Sequence, residues 1–293
     1  MIGVAVIGVG VMGSAIAGRL LDTEMAVALF DPSPEKLAAL ANRGARIAGS
    51  AAEAARDAAF VVTSLNSADV VERAVFGDAG VAEVASSASL LVDMSSIDAG
   101  RTAAMAARLS DMTGMGWVDA PLSGGAPAAA SGALTLMIGG SEGDVARAMP
   151  LLERLSANRT HLGPSGAGQT VKLVNQLLCA SGFLAVAEAV RFAEAHGVDA
   201  ARIPAALAGG RADSRILQEY MAKMARRDFS PTGRIDNMLK DLETVQASAS
   251  ARRVALPVTS LIADLHRMLV AGGMGAADSA EYMRLFDLGV HLA

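Results

Sequence analysis

The chain has 293 residues, 52% of them hydrophobic but only 3% aromatic, and a net charge of −5 from 30 acidic and 25 basic side chains. This length favours two domains over one, and the core must be built from Ala, Val, Leu, Ile and 15 Met, which suits helices and buried parallel strands. Without an excess of cations, neither nucleic acid nor a membrane surface is an expected partner. The single cysteine, Cys179 in an apolar Leu-Leu-Cys-Ala setting, reads as buried packing in a reducing, cytoplasmic compartment.

The apolar stretch 2–18 has no basic residue before it and is broken by Gly3, Gly8, Gly10 and Gly13, so it reads as a strand and turn rather than a signal peptide or membrane span. Short apolar runs at 2–7, 26–30, 60–64 and 89–93 read as strands. Helix-period segments lie between them at 14–21, 33–42, 50–56, 67–75 and 99–109. This alternation is the pattern of βαβ units in a parallel sheet. Residues 118–120 and 134–139 are expected as later strands flanking a loop at 121–132.

Beyond Gly163 strand-like runs give way to helical patterns. Residues 168–196 lack proline and are apolar most of the way round the helix, so that helix is expected to be buried on several sides or to pair with another subunit. Helices follow at 202–207, 215–226, 235–251, 257–271 and 277–285.

Gly8-Val9-Gly10-Val11-Met12-Gly13 is a G-x-G-x-x-G placed directly after the first expected strand and before the first helix. The first glycine permits a tight turn, the second admits a pyrophosphate to the backbone N–H groups, and the third lets helix and strand pack closely. Asp31 follows 18 residues after the last glycine, near the place of an acid that accepts hydrogen bonds from adenosine ribose hydroxyls. The alternative is that Asp31 only opens a turn with Pro32 and Ser33. A carboxylate there repels a 2′-phosphate and no arginine follows closely, so NAD is preferred, with NADP possible. The expected fold is an α/β Rossmann-type N-terminal domain at 1–163 with a mostly parallel sheet, joined by a long helix to an all-α substrate and oligomerisation domain at 164–293.

Three further clusters carry chemistry. Ser123, Gly124 and Gly125 offer a hydroxyl and successive N–H groups suited to a carboxylate, although an ordinary glycine-rich loop has the same composition. Lys172 stands among Val171, Leu173 and Val174, with Asn175 and Gln176 one turn further on. Lys240-Asp241 lies in an amphipathic helix and alone would read as a solvated pair.

Together, GVGVMG (8–13), VDMSSI (92–97), DAPLSGGAPAAASGALTLMIGG (119–140), GAGQTVKLVNQ (166–176) and MLKDL (238–242) resemble, in order and over nearly the whole chain, the β-hydroxyacid dehydrogenases. That group includes 3-hydroxyisobutyrate dehydrogenase and tartronate semialdehyde (2-hydroxy-3-oxopropionate) reductase. The resemblance implies Lys172 as catalytic acid/base, Ser123-Gly124-Gly125 as the holder of a small carboxylic-acid substrate, and Asn175 or Gln176 as partners of the reacting oxygen or the lysine. It also places Leu65, Asn66 and Ser96 along the cofactor cleft and Lys240 near the nicotinamide. Asn66 stands where proline is common and Ser96 where threonine is common.

Gln176, where 3-hydroxyisobutyrate dehydrogenases usually carry asparagine, favours a tartronate semialdehyde reductase-like activity over 3-hydroxyisobutyrate or L-threonate-type dehydrogenases. A non-catalytic NAD-binding protein is the reading from a different class, and retention of the lysine and nest argues against it. Arg211 or Arg215 is a candidate for recognising a second polar group, with surface solvation the competing reading. A lysine titrates near 10.4, and burial beside a cationic oxidised cofactor disfavours its charged form. His161, His196, His266 and His291 have no ligand spacing and read as helix-end or surface residues; no metal is expected. A homodimer or homotetramer is the expected assembly.

Overall fold

The computed structural model describes residues 3–287; Met1, Ile2 and residues 288–293, His291 among them, lie outside the described residues. Contacts divide the chain into two compact units, Met1–Lys172 and Leu173–Ala293.

In the first unit, strands β1 (Gly3–Ile7), β2 (Ala26–Phe30), β3 (Arg46–Ile47), β4 (Phe60–Thr63), β5 (Leu90–Asp93) and β6 (Gly116–Asp119) alternate with helices α1 (Val11–Asp22), α2 (Ala38–Ala41), α3 (Ala51–Ala55), α4 (Ala68–Phe76) and α5 (Ala99–Thr113). There follow β7 (Leu122–Ser123), α6 (Gly125–Ser131), β8 (Leu134–Gly139), α7 (Glu142–Leu155), β9 (Ser156–Gly163) and the start of α8 (Ala167–Ala195). The sheet runs β3-β2-β1-β4-β5-β6-β8-β7, with β9 pairing β8. Strands β1 to β6 pair in parallel; β8 is antiparallel to β6 and β7 and parallel to β9.

The two-residue period of the central strands sorts their side chains between two cores. Val4, Val6, Val27, Leu29, Val62 and Val92 face one core with Ile16, Leu20 and Leu151 from α1 and α7. Ala5, Ile7, Val61 and Leu91 face the other with Ala54, Val71 and Leu109 from α3, α4 and α5. Burial on both faces explains why these strands read as continuous apolar runs. Helix starts follow local chemistry: Ser67 accepts from Val70 N–H, and Asp98 from Arg101 N–H.

Several elements differ from expectation. Strand β9 was not visible in SANRTHLG because this edge strand is mostly exposed and lacks apolar alternation. Helix α7 was obscured by Gly143 and Pro150, although Ser141 caps it. The expected loop at 121–132 contains β7 and α6. The helix expected at 33–42 is split into a 3₁₀ turn at Pro34–Lys36 and the short α2.

The second unit holds the rest of α8, then α9 (Ile203–Leu207), α10 (Arg215–Ala225), α11 (Ile235–Ala251) and α12 (Pro257–Leu269). The final expected helix is a 3₁₀ segment, Ser279–Leu285. Helix α8, 29 residues long, is apolar and long enough to cross a membrane by length and composition alone. Its Ala180, Leu184, Ala187 and Val190 instead pack in the core of this unit against Met221, Leu242 and Tyr282.

Candidate active site

The carboxyl ends of the parallel strands collect the polar residues of the first unit. At the end of β1, Gly8 adopts φ +90°, and a Cβ there would stand 2.5 Å from Ser64 O. A Cβ on Gly13 would lie 1.9 Å from Gly8 O, so α1 can approach the strand only with glycine at that position. At Gly10, by contrast, a Cβ would meet nothing within 4 Å. Nothing in the polypeptide itself requires glycine there.

Helix α1 begins just beyond Gly10, with no capping side chain and no acid in its first turn. Its positive end is thus uncommitted, and the bare backbone at Gly10 leaves room for an anion; both fit a dinucleotide pyrophosphate. Gly13→Ala is therefore expected to cost about 3 kcal/mol of stability through backbone overlap. Gly10→Ala should retain the wild-type melting temperature yet bind NADH at least about tenfold more weakly, roughly 1.4 kcal/mol. Thermal melts and NADH fluorescence titration check both; a Gly10→Ala protein with wild-type NADH affinity contradicts the assignment of that turn.

Asp31 ends the adjacent strand and is almost fully buried. Its Oδ2 accepts from Val9 N–H at 2.8 Å, while Oδ1 accepts from Ser33 N–H at 2.9 Å and the Lys36 ammonium at 3.0 Å. Burial raises its pKa, but the two backbone N–H groups and Lys36 outweigh that and leave it below the ordinary value. Asp31 thus opens the Pro32–Ser33 turn and also braces the glycine turn. Lys36, a cation five residues after Asp31 that reaches the same carboxylate, carries no sign of that contact in the sequence beyond its spacing.

Further along the sheet, the strand register aligns Thr63, Asp93 and Asp119 as neighbours across β4, β5 and β6. All three are fully buried. Asp93 Oδ1 accepts from Thr63 Oγ1 at 2.8 Å and from Ser95 N–H at 3.0 Å; its Oδ2 has no hydrogen-bond partner. Burial pushes the Asp93 pKa up to about 6, and neighbouring Asp119 adds to the rise. Ser95 Oγ accepts from Leu65 N–H at 3.0 Å, linking the two loops expected to line the cofactor cleft, 64–66 and 94–97.

Asp119 holds the start of α8 from outside the helix, accepting from Gly166 N–H at 2.8 Å and Gln169 N–H at 3.1 Å. Burial raises its pKa against the lowering effect of these bonds. The close approach requires Gly168, whose Cβ would stand 2.3 Å from Met137 O. On the next turn, half-buried Lys172 donates from Nζ to Leu122 O at 2.9 Å, directly before Ser123. Gly124 and Gly125 both have positive φ, and α6 starts at Gly125. Lys172 and the Ser123–Gly125 turn therefore meet at the same edge of the sheet.

Within the second unit, polar side chains of α8 and α11 are linked. Asn175 Nδ2 donates to Gln176 Oε1 at 2.9 Å and to Cys179 Sγ at 3.6 Å. Gln176 Nε2 donates to Asp241 Oδ2 at 2.6 Å, and Lys240 pairs with Asp241 Oδ1 at 3.2 Å. Because Asp241 is nearly buried, Lys240-Asp241 is more than a solvated pair. Arg211 is exposed between α9 and α10, and Arg215 pairs on the surface with Glu219 at 2.7 Å. Cys179, expected buried, is half-buried.

His266, read from sequence as a helix-end or surface residue, is fully buried in α12. Its Nδ1 lies 2.8 Å from Ile262 O and its Nε2 2.5 Å from Tyr282 Oη. The carbonyl accepts from Nδ1–H, which leaves Nε2 to accept from the tyrosine. Burial lowers the His266 pKa, favouring this neutral form.

A glycine-rich turn opening a helix, an acid at the end of the next strand, and a lysine beside a second glycine turn are together the features expected of a nicotinamide-dependent oxidoreductase. A family described as the NAD binding domain of 6-phosphogluconate dehydrogenase matches residues 3–163, and one described as NAD-binding of NADP-dependent 3-hydroxyisobutyrate dehydrogenase matches residues 166–286. The chain is 34% identical over 284 residues to 2-hydroxy-3-oxopropionate reductase of Escherichia coli, spanning 96% of each chain. It is 33% identical over 293 residues to NAD-dependent L-serine dehydrogenase of Pseudomonas aeruginosa, spanning 97% of each. A solved structure of Mycobacterium tuberculosis 3-hydroxyisobutyrate dehydrogenase with L-serine matches with a TM-score of 0.89 at 28% identity, over 98% of this chain and 99% of that one. The chain belongs to the β-hydroxyacid dehydrogenase family and is an NAD(P)-dependent dehydrogenase or reductase.

Proposed function

We propose that this enzyme reduces a small β-oxo acid, 2-hydroxy-3-oxopropionate (tartronate semialdehyde) or a close analogue, with Lys172 as acid/base. The observation that carries this reading is the Lys172 Nζ bond to Leu122 O, which sets the ammonium beside the Ser123–Gly125 turn. The reduced nicotinamide supplies the hydride. Ser123 Oγ and the N–H groups of Gly124 and Gly125 hold the substrate carboxylate. The Lys172 ammonium then gives its proton to the oxygen of the former aldehyde, yielding the alcohol; in the reverse direction the neutral amine removes that proton. Asn175 or Gln176 orients the reacting oxygen or the lysine.

The nucleotide is held by residues 8–13 and Asp31, with Leu65, Asn66 and Ser96 lining its cleft and Lys240 near the nicotinamide. NAD is preferred, because the buried Asp31 carboxylate keeps its negative charge where a 2′-phosphate would approach. The proposed division of labour is cofactor binding by 1–163 and substrate binding and oligomerisation by 164–293, in a cytoplasmic homodimer or homotetramer. Arg211 is the proposed contact to a further polar group of the substrate.

The relatives named for tartronate semialdehyde and L-serine both fit a three-carbon acid, which favours that chain length over a longer polyhydroxy acid such as threonate. Steady-state kinetics with each acid, using NADH and NADPH in reduction and the oxidised cofactors in oxidation, test the assignment. The expected result is a higher kcat/KM with tartronate semialdehyde and NADH than with methylmalonate semialdehyde or with NADPH. Faster oxidation of L-threonate would overturn the substrate assignment, and a preference for NADPH would overturn the cofactor assignment.

A further inference from the structure

Gln169 lies one turn ahead of Lys172 on α8 and is fully buried. A buried carboxamide needs partners for both its oxygen and its nitrogen. Gln169 finds them on one short stretch of backbone: Oε1 accepts from Ile97 N–H at 3.1 Å, and Nε2 donates to Ser95 O at 2.8 Å. These two groups flank Ser96, so the side chain pairs with the loop as a neighbouring strand would and fixes the conformation of the residue between them. The backbone N–H of Gln169 is itself held by Asp119, which anchors the start of the same helix.

We propose that Gln169 is a positioning residue for the reaction, setting Ser96 and the cofactor face of the 95–97 loop in register with the Lys172 ammonium. The proposal rests on the assignment of Lys172 and Ser96 made above. Gln169 touches neither substrate nor cofactor. It acts by tying the loop and the lysine to one rigid helical turn, because Gln169 and Lys172 are separated by only about 4.5 Å of helical rise. Ser95 extends the tie, since its hydroxyl accepts from Leu65 N–H in the neighbouring loop. A misalignment between hydride donor and proton donor lowers the rate of the chemical step more than it weakens binding.

The test uses the full-length chain with Gln169→Met, which keeps the length of the side chain but neither hydrogen bond, and Gln169→Glu, which keeps the acceptor for Ile97 N–H but sets a carboxylate oxygen against Ser95 O. Five quantities are compared with wild type: kcat, KM, the primary isotope effect with NADH deuterated at the transferred position, circular dichroism of bound NADH near 340 nm, and melting temperature. Both variants are expected to lose about 10- to 100-fold in kcat, as for misplaced reacting groups. Substrate KM should change little, the isotope effect should rise, and the 340 nm signal should change as the nicotinamide environment shifts.

A variant that melts at lower temperature but keeps the wild-type kcat, isotope effect and 340 nm signal overturns the proposal and leaves Gln169 a purely structural residue. Failure of the functional assignment is a distinct result: a wild-type chain that binds NADH but turns over none of the acids. The 340 nm comparison then still decides whether Gln169 sets the nicotinamide environment.

Discussion

Lys172→Met is expected to lower kcat for aldehyde reduction by about 10²- to 10⁴-fold, the usual contribution of a positioned general acid, with little change in NADH affinity. The lysine stands on the second turn of α8, where its Nζ donates to Leu122 O. On the function proposed above, its loss removes the proton donor and leaves the nucleotide contacts assigned to residues 8–13 and Asp31 in place. Lys172→Arg is not a conservative control, because a guanidinium holds its proton far above neutral pH and cannot act as the base in alcohol oxidation. It should be most defective in that direction. Stopped-flow NADH oxidation together with fluorescence titration of NADH checks both variants. A methionine variant retaining more than about a tenth of the wild-type kcat, a loss of under 1.4 kcal/mol in transition-state stabilisation, would remove the lysine from the chemistry.

Asp93→Asn is expected to stabilise the protein at pH 8 by about 2–3 kcal/mol and to have little effect at pH 4. The Asp93 pKa rises from 3.8 in the unfolded chain to about 6 in the buried row. The native state therefore binds this proton more tightly than the unfolded state. Its stabilising contribution is complete below about pH 3.8 and is lost as pH rises through about 6, above which the fold carries a buried charge whose Oδ2 lacks a partner. Asparagine keeps the Oδ1 acceptor for Thr63 and Ser95 and removes the charge. Urea unfolding of both proteins at pH 4 and pH 8 isolates the effect. A difference in stability that is the same at both pH values contradicts the buried-charge account.

The parallel half of the fold was legible because both faces of β1, β2, β4 and β5 are covered, which makes each strand an uninterrupted apolar run. Where burial is one-sided or absent, the signal failed: β9 lies at an edge, and β3 is only two residues long. At the candidate site, the tight turn at Gly8, the close helix approach at Gly13 and the acid after β2 follow from local spacing in the sequence. Lys172 was picked out by its apolar neighbours and by the family resemblance.

The supporting network was not legible, because it depends on register between strands distant in sequence. Asp93 and Asp119 become neighbours only when β5 and β6 pair, and Gln169 meets Ser95 and Ile97 across more than 70 residues of chain. A faint signal existed in LLVD and WVD, two buried strands that each end in an acid, and in a glutamine at the apolar start of a long helix. His266 illustrates the reverse case. Its burial follows from the partner at Tyr282 and has no local sequence mark.

In the function we propose, this chain reduces a small acid aldehyde with a nicotinamide cofactor and with Lys172 as the proton donor. The most direct measurement is the rate of NADH oxidation at neutral pH with tartronate semialdehyde, for wild type and Lys172→Ala side by side. Rapid turnover by the wild type that the alanine variant lacks is the expected result; no turnover of this aldehyde by a wild-type chain that binds NADH, or equal turnover by both proteins, would contradict the claim.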